Sequence, residues 1–281
     1  MVAVSFSAFP YVGGKTRIIR WIRSNLPAHS TYVEPFGGSA AVLLNKDRSR
    51  VEVFNDRDSD VVQFFEVART NPEELAEWCR RTPFSEELHA RWTKEFYEGH
   101  RAEDSIARAG RWLFLRYSQF AGKIARPSGF KREQPSDQKG TREARNWASV
   151  DERIQYVADR LEGVSVLNDD ALSVIERYDD PETVFYLDPP YLGKENLYTE
   201  SVNHLDLARH LSSIEGYALV SYTELPEGYG DWTVLERKAA HNAGGTGKEV
   251  TERLACNFEP STQPEWAPAG QTRLTAWEGS A

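Results

Sequence analysis

Short apolar runs, each ending in an acidic or glycine-bearing tip and each followed by a helical stretch, constrain this chain more than any other feature. Thr31-Tyr32-Val33 is a strand that opens into Glu34-Pro35-Phe36-Gly37-Gly38-Ser39. Ala40 to Asn45 then reads as a helix, Val51 to Phe54 as a second strand closed by Asn55-Asp56, and Asp60 to Arg69 as a second helix. Strand, glycine turn, helix, and strand with an acid at its tip form the opening of a doubly wound α/β nucleotide-binding sheet. Ahead of it, Ile18, Ile19, Trp21 and Ile22 fall at helical spacing over Thr16 to Asn25, and that helix stops before Pro27. The pattern resumes with a helix over Val150 to Leu161 and the strand Val164 to Leu167, which leads to Asp169-Asp170. A helix from Ala171 to Arg177 precedes the strand Val184 to Leu187, which runs into Asp188-Pro189-Pro190-Tyr191. The helix His204 to Ser213 and the strand Tyr217 to Tyr222 follow. Thr233 to Arg237 and Thr251 to Phe258 read as a terminal antiparallel pair.

Between the two runs of this pattern the character changes. Residues 71–148 hold Trp-rich, charged helical stretches (Glu73 to Arg81, Glu86 to Tyr97, Ala102 to Arg116) and then a polar Gly/Pro/Lys-rich loop from Pro127 to Thr141. They read as a subdomain inserted into a catalytic domain made of residues 1–70 and 149–258, with 259–281 as a tail of low periodicity expected to be partly disordered. The Gly-rich stretch His241 to Lys248 is expected to be mobile. Net charge is -9, yet Arg101 to Arg145 carries eleven Lys or Arg against five Asp or Glu, while the rest carries 23 basic and 38 acidic residues. A compact basic segment in an acidic protein suggests a polyanion docking on one face. A solvated basic helix and loop would give the same count.

The tips carry the chemistry. Ligands of open α/β sheets bind outside the carboxyl ends of the strands, where Glu34, Asp56, Asp170 and Asp188 fall. Glycines at the first tip allow close backbone approach, and an acid ending the second strand is the usual ribose clamp. Neither G-x-G-x-x-G nor G-x-x-x-x-G-K-[ST] occurs, so nothing cradles a pyrophosphate or triphosphate. A nucleoside with a small, partly cationic appendage fits, as S-adenosylmethionine does. Tyr11-Val12-Gly13-Gly14-Lys15 brings backbone and a cation near the same site, or is a tight turn before a helix. In Asp188-Pro189-Pro190-Tyr191, a carboxylate and a carbonyl fixed by proline can accept both hydrogens of an exocyclic amino group while the ring stacks on the base. The plainer alternative is a proline turn ending a strand.

Together these segments resemble the Dam-like family of N-6-adenine DNA methyltransferases. The residues that carry the resemblance are Tyr11 to Lys15, Glu34 to Ser39, Asn55-Asp56, Asp169-Asp170, Asp188 to Tyr191 and Glu252 to Phe258, in family order over nearly the whole chain. The resemblance implies a Rossmann-like methyltransferase sheet with helices on both faces and an inserted, mostly helical target-recognition subdomain between the second and third strands. It implies S-adenosylmethionine as cosubstrate, without a metal, held by Tyr11, Gly13, Lys15, Glu34, Pro35, Phe36, Gly37, Gly38, Ser39, Asp56, Asp170 and Asp188. Asp188, Pro189 and Tyr191 would grip the target adenine, and Ser221-Tyr222 would help wall its pocket. Arg116-Tyr117 through Gly122 resembles the opening of the family's DNA-contacting hairpin, with Arg116, Lys123, Arg126, Lys131 and Arg132 expected on phosphates. The chain departs there, with Ala121 where relatives often carry Asn and Lys123 after the glycine, so the target sequence does not carry over.

The expectation is therefore a monomeric methyltransferase acting on adenine in double-stranded DNA, with a cognate restriction endonuclease as a candidate partner. RNA adenine or a cytosine amino group as acceptor, and a catalytically inactive DNA-binding relative, are the alternatives. A nicotinamide dehydrogenase is disfavoured by the missing glycine fingerprint. With 281 residues, 40% of them hydrophobic, the chain can bury a large core, and no apolar stretch nears the roughly 20 residues needed to span a bilayer. The amino terminus lacks the basic start and cleavage site of an export signal. Cys79 and Cys256 show no metal spacing. A reduced, cytoplasmic protein is expected.

Overall fold

Two buried strands lie at the centre of the sheet. β1 (Thr31–Glu34) and β4 (Thr183–Leu187) run parallel, with Thr31 opposite Thr183 and Val33 opposite Phe185. Every residue of β4 is buried, as expected of a parallel strand covered on both faces. β2 (Val51–Asn55) and β3 (Val164–Leu167) extend the sheet on one side, and β5 (Tyr217–Tyr222) extends it on the other, all parallel. Beyond β5 come β7 (Lys248–Cys256) and then β6 (Thr233–His241), both pairings antiparallel, so the order is β3-β2-β1-β4-β5-β7-β6. This is a computed structural model, and it describes residues 6–11, 13–120, 126–132, 143–191, 202–241 and 248–260.

Alternation along the strands divides two cores. Val184 and Tyr186 face one side with α1 (Ile19–Ser24), α2 (Ser59–Thr70), α3 (Pro72–Arg81), α5 (Ser105–Ser118) and α7 (Val150–Arg160). Phe185 and Leu187 face the other, with α8 (Ala171–Tyr178) and α9 (His204–Leu211). The helices begin where side chains satisfy their free amides. Asp58 caps α2 by accepting from Asp60 N, Asp104 caps α5 through Ala107 N, and Asp170 caps α8 through Leu172 N and Ser173 N.

The inserted segment supplies α3, α4 (Glu86–Tyr97), α5 and α6 (Glu143–Ala148). Its apolar residues, among them Leu75, Trp92, Trp112 and Trp147, belong to the same core as Phe54, Phe64 and Phe65. The insert thus thickens the helical layer on one face and shares its core with the sheet. Trp147 ties the segment's end to its middle by donating Nε1–H to the Thr82 carbonyl at 2.7 Å.

Two expectations need correction. The helix expected over Ala40 to Asn45 is a single 3₁₀ turn, Leu43–Asn45. Ala40 takes a left-handed φ of 53°, and the Leu43 amide is drawn onto the Glu34 carboxylate at 2.6 Å, so an α-helix cannot start there. The helix expected over Thr16 to Asn25 is shorter, Ile19–Ser24. The terminal pair is longer than expected and keeps register from Thr233 opposite Cys256 to His241 opposite Lys248. Most of the stretch expected to be mobile, and most of the tail, lie outside the described residues. No helix among the described residues is long and apolar enough to cross a membrane.

Candidate active site

The sheet changes winding direction between β1 and β4: from β1 the chain runs outward to β2 and β3, from β4 to β5. A crevice at the carboxyl ends of two such strands is where an open α/β sheet takes its ligand. A cavity of about 240 Å³ opens there, lined by Tyr11, Lys15, Glu34 to Ser39, Asp56, Asp170, Asp188 and Pro190. Of the expected cofactor residues, Gly13 alone does not line it. Pro189 and Tyr191 are buried beside Asp188.

Asn55 sets the spacing of the tips. Buried at the end of β2, its amide donates to the carbonyls of Pro35 at 2.9 Å and Asp169 at 3.0 Å, and its Oδ1 accepts from Asp169 N at 2.9 Å. One side chain thereby holds the tips of β1, β2 and β3 together. Asn55 was quoted in the sequence pattern without a role, because only the pairing of neighbouring strands brings its partners within reach.

The acids first order the rim that a ligand would meet. Asp56 accepts from Gly38 N through Oδ2 and from Asp58 N through Oδ1, both at 2.8 Å. Gly38 needs its residue type, since its φ is +50° and a β carbon would press on the Tyr11 ring. At Gly37 a β carbon would fall inside the Phe54 ring. Asp170, besides capping α8, pairs with Arg57 at 2.7 Å. Glu34 is buried and accepts from Tyr32 Oη at 2.7 Å and Leu43 N at 2.6 Å. Burial pushes its carboxyl up to about 7, against those two hydrogen bonds.

Lys15 provides the least expected geometry. Its Nζ stands 2.7 Å from Asp188 Oδ1, donates to the Gly13 carbonyl at 2.9 Å, and lies 4.7 Å from the centroid of the Tyr191 ring. Burial raises the Asp188 carboxyl, and the Lys15 ion pair and hydrogen bond oppose that rise. Around Tyr191, the Tyr222 ring lies 6.1 Å away, centroid to centroid, and Tyr222 Oη meets His204 Nδ1 at 2.9 Å. Ser221 Oγ meets Tyr186 Oη at 2.9 Å. Glu252, reaching in from β7, accepts from Tyr191 Oη at 3.2 Å.

An acidic crevice with a glycine rim suits S-adenosylmethionine: the acids that line it can balance a sulfonium and an ammonium, and Asp56 follows β2, the position from which an acid clamps a ribose in sheets of this kind. The residues present fit that group.

The expected phosphate contacts divide. Arg126 and Arg132 are exposed, Arg132 in an ion pair with Glu86, and Lys131 lies 3.6 Å from Glu143. Lys123 lies outside the described residues. Arg116 is a correction: it is 0% exposed, its Nη2 donates to Gln119 Oε1 at 3.0 Å, and its guanidinium lies 5.2 Å from the Trp112 ring. A cation sealed inside the helical layer is not offered to a phosphate. Its charge neighbours include Asp58 and Tyr11, both of which line the cavity, so the end of α5 stands beside the crevice. From there Gln119 pairs with Phe130 in an isolated antiparallel bridge.

A sequence model described as D12 class N6 adenine-specific DNA methyltransferase matches residues 11–214. A type II methyltransferase of Methanocaldococcus jannaschii, M.MjaIII, is 27% identical over 211 residues, which are 67% of this chain and 71% of that protein. A DNA adenine methylase of Escherichia coli is 24% identical over 275 residues, 87% of this chain and 92% of that one.

Proposed function

Because the chain belongs to the D12 class of N6 adenine-specific DNA methyltransferases, and so methylates adenine in DNA with S-adenosylmethionine, we propose that the crevice between β1 and β4 is where the transfer occurs. The observation that carries this reading is the convergence of four strand tips on one cavity, with Asp188 both on its wall and at the head of the amino-gripping tetrapeptide. Adenine acceptors in RNA and cytosine acceptors give way to adenine in DNA, and an inactive relative to an enzyme, on the family alone.

An amino nitrogen inside a stacked duplex is out of reach, so the adenine is rotated into the pocket at an unstacking cost of a few kcal/mol. Asp188 and the Pro189 carbonyl accept the two amino hydrogens, and Tyr191 stacks on the ring. Tyr11, Lys15, Glu34 to Ser39, Asp56 and Asp170 hold and orient the cosubstrate. Bound there, S-adenosylmethionine supplies an electrophilic methyl with a neutral thioether leaving group, a chemistry that asks for no metal. Asp188 stabilises the positive charge that develops on the nitrogen, and alignment of nitrogen and methyl supplies roughly 7–11 kcal/mol. Lys15 now donates to the Asp188 oxygen that the amino group requires, so it yields that oxygen when the base enters.

The loop after α5, with Arg126, Lys131 and Arg132, reads as the duplex-binding edge of the insert, residues 71–148. Asp188→Asn is the decisive variant. It is expected to bind the cosubstrate yet lose methylation of duplex DNA by at least about a hundredfold, from the loss of a stabilising charge. Near-native turnover would remove Asp188 from the chemistry.

A further inference from the structure

Glu252 has no part in the reading above, and it lies beyond residue 214, where the family match ends. It is 6% exposed, on β7, and touches the base-gripping tetrapeptide directly, through Tyr191 Oη at 3.2 Å. We propose that Glu252 is a positioning residue of the methyl-transfer site: it holds the hydroxyl of Tyr191, and through it the plane of the ring that stacks on the target adenine.

A phenylalanine ring in this place could slide and rotate within its apolar surroundings. The Tyr191 ring is fixed at its edge by Glu252, covered on its face by the Lys15 ammonium at 4.7 Å, and flanked by Tyr222. Of these, only the edge contact survives when a base arrives, since Lys15 must yield to the base and the Tyr222 contact is an undirected ring packing. A ring anchored through its hydroxyl keeps its plane while its face changes partner.

A phenol has one O–H to donate, and two carboxylates stand within its reach, since Asp188 also comes within hydrogen-bonding contact of Tyr191. A hydroxyl committed to Asp188 would occupy an acceptor that the adenine amino group needs. A hydroxyl committed to Glu252 leaves the Asp188 oxygens for Lys15 and then for the base. Glu252 therefore does two things with one bond: it orients the ring and it reserves Asp188.

This inference rests on the reading that Asp188 and Tyr191 grip the base, and the experiment separates the two. Wild type, Tyr191→Phe, Glu252→Met and the double variant are compared for kcat and KM on a duplex with one target site, with cosubstrate Kd by calorimetry; methionine keeps the length of the side chain and removes the acceptor. Each single variant is expected to lose about tenfold in kcat, while the double loses no more than about twofold beyond the worse single, because one bond has been removed twice. Cosubstrate Kd should stay within about twofold, which a general loosening of the sheet would not allow. Losses that multiply in the double variant, or a Glu252→Met enzyme at wild-type kcat, overturn the inference. Should Glu252→Met fail to fold, Tyr191→Phe leaves β7 untouched, and wild-type kcat in that variant overturns the inference by itself. Failure of the base-grip reading looks different: Asp188→Asn then stays active whatever the cycle shows.

Discussion

The ammonium of Lys15 and the carboxylate of Asp188 are joined at 2.7 Å, the one from the glycine turn near the amino terminus, the other from the tip of β4. The sequence pattern gave Lys15 to the cosubstrate and Asp188 to both the cosubstrate and the base. Their ion pair makes the two ligand sites share a charge. An ammonium that donates to Asp188 and lies over the Tyr191 ring stands where the adenine amino group is expected, with the same donors and the same face.

That contact predicts a pH effect. Asp188 works as an ionised acceptor, and the groups facing it are Lys15, Glu252, Tyr186 and Tyr191. Burial raises its carboxyl, Lys15 lowers it and Glu252 raises it again. Lys15→Met removes the largest opposing influence, so the acid limb of kcat/KM for DNA, at saturating cosubstrate, should move to higher pH. An acid limb that stays in place would show that Lys15 does not keep Asp188 charged.

Glu34 ties stability to pH. Its folded carboxyl sits at about 7 against an ordinary 4.5, raised first by burial. Between those values the native chain keeps a proton that the unfolded chain has released, so this stabilisation is full below the lower value and disappears as pH rises through the upper one. The unfolding free energy of wild type, measured against Glu34→Gln by denaturant titration, should fall by up to about 3 kcal/mol from about pH 5 to about pH 8. A difference that is flat or rises with pH contradicts the burial of a protonated carboxyl.

Salt dependence tests the loop after α5. Arg132 is held by Glu86 in an exposed pair, a kind that contributes about 1 kcal/mol or less, so a phosphate can replace that partner, and Lys131 stands 3.6 Å from the buried Glu143. Reversing both charges, with Lys131→Glu and Arg132→Glu, should lower the slope of log K against log salt by about two units. An unchanged slope takes these residues off the DNA.

The parallel strands were legible as apolar runs, those of β1 to β4 with an acid or amide at their carboxyl ends, and β3 and β5 fall on the expected residues. Legibility failed where side chains compete with backbone. Nothing local to Ala40–Asn45 says that a carboxylate from β1 will take the Leu43 amide. Arg116 was misread for another reason. Counting charges cannot tell a guanidinium on the surface from one buried against Trp112 and Phe96, the second of which comes from another helix. Glu252 was legible as part of a family pattern and silent in role, since its partner comes from the far side of the sheet's chain order.

β7 is inserted between β5 and β6, so β6 has no place in the sheet until the final strand has been made. Chains emerge amino terminus first, and the tips of β1 to β4 are all synthesised before β7 begins. A ribosome-bound chain can therefore assemble the crevice that takes the cosubstrate well before it owns Glu252. Competence to grip a base waits for β7, the strand that slots in beside β5, seats β6 at the edge and completes the wall of the pocket.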